Sequence, residues 1–262
     1  MGNMAALSRL VTTRSAPLIA AVAIVLLAFG LRFHALGAQS LWNDEGNSVV
    51  QATRDPGGIL ENAARDIHPP GYYLLLSLWT KLAGTSEFAL RSLSAFASVI
   101  TAALAFAIGR KLYSAWAGAA AAILVALNSF SIYYAQEARM YALLALWVAL
   151  SFFCLLLLLE KPSRVRIIAL GLITAAGLYT QYAYALFMIA QGVLAVIWWM
   201  SDSGHRKRSF IAYIIANLIG IGLFAFWLPI AIQQLANWQQ TGSELTPAGE
   251  ASVFCCAGLP LA

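Results

Sequence analysis

The chain has 262 residues, of which 61% are hydrophobic and only 10% charged, with a mean hydropathy of +0.76. A soluble domain averages about 45–50% apolar and about 25% charged residues, so a water-soluble globule is excluded and lipid must solvate much of the surface. The formal charge of +5 is spread along the chain instead of forming one basic patch, which argues against a nucleic-acid partner. Cys154 sits in an apolar run and Cys255 and Cys256 are adjacent, which gives neither metal-ligand spacing nor a disulfide framework.

A membrane-crossing helix needs roughly 20 apolar residues. In chain order the expected spans are about 16–33, 88–108, 115–134, 140–159, 167–184, 185–200 and 210–232. The fifth and sixth run together without a polar gap. They are divided at 181–184, because one helix of that length would cross the bilayer twice over. The first span follows Arg9 and Arg14 and has the outline of a cleaved signal sequence. Its run is long for one, however, and the same pattern continues after it.

Lys and Arg gather on the cytoplasmic side of membrane proteins. With the N-terminus inside, the inner segments hold Arg9, Arg14, Arg110, Lys111, Lys161, Arg164, Arg166, Arg206, Lys207 and Arg208 against only Glu160 and Asp202. The inner face is then net +8 and everything else net −3. The expected organisation is a cytoplasmic N-terminus over 1–15, an all-α polytopic membrane module of seven helices over 16–232, and an extracytoplasmic tail over 233–262.

The outer loop at 34–87 is far longer than any inner loop. It begins polar, with Trp42-Asn43-Asp44-Glu45-Gly46, and later reads Ile67-His68-Pro69-Pro70-Gly71-Tyr72-Tyr73 before an apolar stretch at 74–83. That stretch is too short to span. A double proline cannot sit inside a helix but suits one beginning just after it. A short helix on the membrane surface is therefore expected, with Tyr72, Tyr73 and Trp79 at headgroup depth. The second outer loop, Tyr133-Tyr134-Ala135-Gln136-Glu137-Ala138-Arg139-Met140-Tyr141, places one acid and one base two residues apart. On a continuous helix that spacing would not let them face each other. The third, Tyr179-Thr180-Gln181-Tyr182-Ala183-Tyr184, is phenolic and uncharged.

The ordered motifs Leu-Trp-x-Asp-Glu, His-Pro-Pro-Gly-Tyr-Tyr and Tyr-Tyr-x-Gln-Glu-Ala-Arg-Met-Tyr resemble the polyprenyl-phosphate-dependent glycosyltransferases of GT-C type. Within them the chain is most similar to the bacterial branch related to protein O-mannosyltransferases and the lipid A aminoarabinose transferase (glycosyltransferase family 39-like). The resemblance runs from about residue 30 to 238. It implies a seven-helix catalytic module, surface helices in the first outer loop, and sugar transfer outside the cytoplasm. Carried over by position, Asp44 takes the place of the catalytic acid, Glu45 its acidic neighbour and His68 the loop histidine. Glu137 and Arg139 take the place of the second loop's acid and base. Gln181 stands where relatives often carry histidine, so no role is expected of it. Relatives usually continue further, and the ending 254–262 matches none of them, which fits a truncated or frame-shifted product.

The chemistry asks for these residue types on its own terms. A polyprenyl-phosphate donor leaves an anionic phosphate, which a guanidinium binds bidentately; Arg139 fits, assisted by His68 or Lys81. Tyr72, beside the double proline, belongs with this donor-binding set. The acceptor hydroxyl, on a glycan, lipid or protein, needs a carboxylate base, and Asp44 fits. One base opposite the leaving phosphate implies inversion. Glu45 and Glu137 are expected to orient the sugar or, with Asp44, to hold a divalent cation, the one cofactor considered. No glycine-rich nucleotide loop is present. The alternatives are a lipid-linked-sugar transporter or flippase, which would place ionisable groups near the midplane, and a non-catalytic membrane fragment.

Overall fold

A computed structural model describes the backbone of residues 2–201 and 203–241, and the side chains of 16–201 and 206–237. Asp202, most of the expected tail, Cys255 and Cys256 lie outside the described residues, as do the side chains of Arg9 and Arg14. Among the described residues there are twelve helices and no strand, which makes this an all-α polytopic membrane protein.

The long helices are α1 (Gly2–Phe33), α5 (Glu87–Leu112), α8 (Tyr141–Glu160) and α11 (Ser203–Phe224), each long and apolar enough to cross a bilayer. The expected third span is broken. α6 (Ala115–Leu127) stops at Asn128, whose side-chain oxygen accepts from the Ser131 N–H at 2.8 Å and starts α7 (Ser129–Ala135), bent by 59°. Counting the bent pair as one gives five crossings by length and composition. α9 (Arg164–Thr180) and α10 (Tyr184–Met200) have 17 residues each, about 25 Å at 1.5 Å per residue, against a core of about 30 Å. The break between them falls at 181–183, inside the expected division. The last expected span also ends early: α11 stops at Phe224, and α12 (Leu228–Thr241) turns back toward the first long loop.

That loop holds three short helices. α2 (Asn43–Ala52) begins at Trp42, whose backbone N–H donates to the Glu45 carboxylate at 3.3 Å, one half of a capping box. α3 (Pro56–Arg65) has proline at its first position and is capped by Asp55, which accepts from the Gly57 and Gly58 N–H groups. α4 (Gly71–Ala83) starts after the double proline and stops at Gly84, where φ is +91°. Gly71 is required by contact: a Cβ there would lie 2.6 Å from the Tyr179 carbonyl oxygen, so the start of α4 abuts the end of α9.

α4 is not the interfacial belt expected of it. Tyr72 and Tyr73 are fully buried, packed with Leu76, Leu90, Ala138 and Met140, and the Trp79 indole donates to Ala89 O at 2.9 Å. The helix is clamped between α5, α2 and α9, and its aromatic face points inward because that side is apolar and enclosed.

Two polar side chains lock α1 to the broken span. Arg32, fully buried, donates to the carbonyls of Ala28, Val125 and Ala126 and to the hydroxyls of Ser98 and Ser131, which occupies all five of its N–H groups. Val125 and Ala126 sit in the last turn of α6, where carbonyls lack helical partners and the dipole is negative. In return Gln136 donates to the carbonyls of Leu31, Arg32 and His34 at the end of α1.

Candidate active site

Asp44 and Glu45 are adjacent in the first turn of α2, and the helical turn sends them apart. Glu45 is fully buried. Its Oε1 accepts from Arg91 Nε at 2.9 Å and from Ala138 N at 2.8 Å; its Oε2 accepts from Arg91 Nη2 at 2.7 Å and from Trp42 N. Burial pushes the Glu45 carboxyl up, but the Arg91 bonds and charge and the two backbone N–H groups outweigh it and hold it below the ordinary carboxylate value. Arg91 spends its remaining donors on the carbonyls of Leu36, Gln39 and Ser40. The sequence placed Glu45 in the chemistry or on a metal; both its oxygens are taken, and it is a pin joining α2, α5 and the α7–α8 turn.

Asp44 faces the other way, with its side chain 45% exposed. Its Oδ2 lies 3.5 Å from Arg139 Nη2, and Arg139 Nη1 donates to Asp44 O at 3.3 Å and Ser48 Oγ at 3.4 Å. The rest of the buried Arg139 is less committed. Its guanidinium stands 5.8 Å from the centre of the Tyr141 ring, and its Nε has no hydrogen-bond partner. The same holds for the buried hydroxyls of Tyr72 and Tyr73, whose rings meet edge-on at 5.6 Å. Burial pushes both phenols well up, despite the opposing Arg139 charge, so they remain protonated donors across the working range.

His68 stands at the loop side of this group, its Nδ1 3.5 Å from Asp66 Oδ2, an ion-pair distance longer than a good hydrogen bond. Burial raises the Asp66 carboxyl, but the His68 ring, the Ile67 N–H and the Arg139 charge bring it below its usual value. The loop is braced from beneath, because Gln234 of α12 donates to the carbonyls of Ala63 and Asp66, and Tyr182 donates to Gln234. Asp44, His68, Tyr72 and Arg139 are thus brought together, with Asp66, Tyr73, Ser48 and Tyr141 added. Lys81 is not among them: it is exposed at the far end of α4, nine residues and about 13 Å along the helix from Tyr72.

Glu137 is buried and, with Tyr133, lines a hollow that Asp44, His68, Tyr72 and Arg139 do not line. Burial and the nearby Glu45 and Asp44 charges push its carboxyl up, against the Tyr133 hydroxyl and Arg139. Among the described residues no three His, Cys, Asp or Glu side chains converge on a possible metal position. Both Glu45 oxygens are engaged by Arg91 and backbone N–H groups, and Asp44 lies outside the hollow that Glu137 lines, so the three carboxylates are not brought together.

Residues 67–230 match the family described as dolichyl-phosphate-mannose-protein mannosyltransferase. The chain belongs to this family. No curated protein matches it. Among solved structures it is similar to the Saccharomyces cerevisiae protein O-mannosyltransferase Pmt1-Pmt2 complex bound to the sugar donor, with a TM-score of 0.61 and 16% identity. The match covers 84% of this chain and 34% of that one, so the chain spans about a third of that protein's length and shares its GT-C fold. The mannosyltransferase family match takes in His68, Tyr72 and Arg139 but starts after Asp44. Asp44 is tied to the matched region by the Arg139 contact.

Arg91, Asp66 and Tyr73 were not singled out for the site from sequence. Arg91 looks like an ordinary snorkelling cation. The missed signal is that it sits near the start of the next long helix, in the second turn of α5, where a buried guanidinium can reach back to the acidic pair.

Proposed function

We propose that the chain is an integral-membrane glycosyltransferase module that moves a sugar from a polyprenyl phosphate to an acceptor hydroxyl, with inversion, on the extracytoplasmic face. The observation that carries this is the set of unspent donors, Arg139 Nε and the Tyr72 and Tyr73 hydroxyls, buried together beside a half-exposed carboxylate. Buried donors without partners are rare and costly. The phosphodiester of a polyprenyl-phosphate sugar offers acceptor oxygens for all three.

The steps follow from the positions. The donor phosphate takes over Arg139, which releases Asp44 from its 3.5 Å ion pair. Asp44 accepts the acceptor's proton as the hydroxyl oxygen bonds to the anomeric carbon. The bond from that carbon to the phosphate oxygen breaks, and the electron pair leaves on the phosphate, held by Arg139. An apolar groove of about 480 Å³ runs from Tyr141 along α8 to Phe152, walled by Ala105, Ile108 and Phe187, and suits an isoprenoid tail. Its upper end is the ring beneath the Arg139 guanidinium.

The full chain in nanodiscs, given radiolabelled polyprenyl-phosphate sugars, should move label into hydroxyl acceptors. Asp44→Asn keeps the shape and loses the base, so transfer should fall about 10²–10⁴-fold with donor binding retained. Parental transfer by Asp44→Asn would put the base elsewhere. No transfer by the parent with any donor would favour a non-catalytic fragment.

A further inference from the structure

On the other side of the Glu45–Ala138 hydrogen bond lies a second cavity, of about 420 Å³. None of Asp44, His68, Tyr72, Tyr73 and Arg139 lines it. Its volume falls in the range of about 300–1,000 Å³ typical of small-molecule sites. Glu137 and the Glu45–Arg91 pair line it, the 34–40 segment forms its rim, and the rings of Trp42 and Tyr133 flank it.

The rim is built, not incidental. It is held from outside itself, by Gln136 on the carbonyl of His34 and by Arg91 on those of Leu36, Gln39 and Ser40. Within it Ala35 adopts φ +54°, a left-handed conformation that non-glycine residues seldom take unless their surroundings impose it. Trp42 and Tyr133 remain 47% and 58% exposed, which leaves two large aromatic faces open at the mouth. Glu137, by contrast, is buried, and its carboxyl oxygens are able to accept hydrogen bonds from sugar hydroxyls.

We propose that this cavity seats a carbohydrate, whose pyranose ring stacks on Trp42 or Tyr133 while its hydroxyls meet Glu137. A peptide would need free backbone partners, and four of the rim carbonyls, those of His34, Leu36, Gln39 and Ser40, already accept from Arg91 and Gln136. An acyl chain would need apolar walls, and this cavity carries Glu45, Arg91, Glu137 and His34 in its lining. Ring faces and a buried carboxylate are what remain, and they match a polyol with one apolar face. That the sugar is the transfer acceptor rests on the proposed function; that the cavity binds sugar does not.

Saturation-transfer NMR tests it on the full chain in nanodiscs, with methyl glycosides of glucose, mannose, galactose and N-acetylglucosamine, and cellobiose. Polyprenyl-phosphate binding is measured in parallel. At least one glycoside should receive saturation, and Tyr133→Ala and Trp42→Ala, both at exposed rings, should each weaken it about tenfold, the loss of one stacking face. Polyprenyl phosphate should bind both variants as it binds the parent. Saturation of no sugar, or saturation unchanged in both variants, overturns the proposal. So does a serine-bearing peptide that binds through Tyr133 when no sugar does. Sugar binding lost with Tyr133, in a chain that binds no polyprenyl phosphate, upholds the cavity and defeats the transferase reading.

Discussion

Two carboxylates one residue apart end in opposite environments because successive side chains on a helix point about 100° apart. Glu45 turns into the bundle and meets Arg91; Asp44, Ser48 and Gln51 follow the face that looks toward Arg139. The acidic pair was legible in sequence, but its division of labour was not, since Arg91 lies 46 residues away. The division gives opposite pH signatures. Glu45 is held below its ordinary value, so its contribution to stability is full above about 4.5, the unfolded value, and is lost as pH falls through the lower folded value. Glu137 is held above its ordinary value, so it favours the fold only when protonated and opposes it as pH rises through the raised folded value. Glu45→Gln should therefore lower the melting temperature in detergent at pH 7 and flatten its loss on acidification, whereas Glu137→Gln should hold or raise it at pH 7. Equal losses in both variants would contradict the assignment. Arg139→Lys keeps the charge but loses the planar fork and the Nε donor. Titration with polyprenyl phosphate should show weakening of about tenfold or more; parental affinity in Arg139→Lys and Arg139→Ala would remove this residue from the phosphate site.

At the scale of elements, composition showed where helices run and concealed where they break. The 115–134 run is apolar on both sides of Asn128, so nothing in its hydropathy marks the 59° bend; the mark is one capping side chain. The end of the last long helix was hidden for the same reason, because 225–232 is as apolar as what precedes it, yet α12 leaves the bundle to brace the Asp66 loop. The bend has its own lock. Arg32 ties the last turn of α6 to α1 and to Ser98 of α5, with no acid involved. Arg32→Met fits the volume but leaves the Val125 and Ala126 carbonyls without these donors. Losing two buried hydrogen-bond partners costs about 2–6 kcal/mol. Unfolding in SDS should report that loss, and Arg32→Lys should recover only part of it, since an ammonium cannot reach five acceptors in a plane. Parental stability in Arg32→Met would show that the bend stands without its arginine.

Across the whole molecule the charges sort by end. Asp44, Asp66, His68, Glu137 and Arg139 lie with the turns at one end of the bundle, at 34–86, 136–140 and 181–183. Arg110, Lys111, Glu160, Lys161, Arg164 and Arg166 lie with the turns at the other, where Lys111 pairs with Glu160 at 2.5 Å. That separation fits a chain crossing at α1, α5, α6–α7, α8, α9, α10 and α11, and the positive-inside rule predicts that the basic end faces the cytoplasm. The two 17-residue helices are the weak links in a count of seven, because each needs local thinning or flanking anchors to cross. Single cysteines at two exposed sites, Arg54→Cys and Lys161→Cys, in a background with Cys255 and Cys256 replaced by serine, decide the matter. An impermeant maleimide on intact cells should label Arg54→Cys and reach Lys161→Cys only after permeabilisation. An odd number of crossings before Arg54 and an even number before Lys161 give this pattern; an unpaired α6–α7 break that failed to cross would put both on the same side. Labelling of both from outside would therefore remove one span between α1 and α9. Labelling of Lys161→Cys alone would turn the molecule over and move the Asp44–Arg139 site to the cytoplasm, where the proposed extracytoplasmic transfer could not occur.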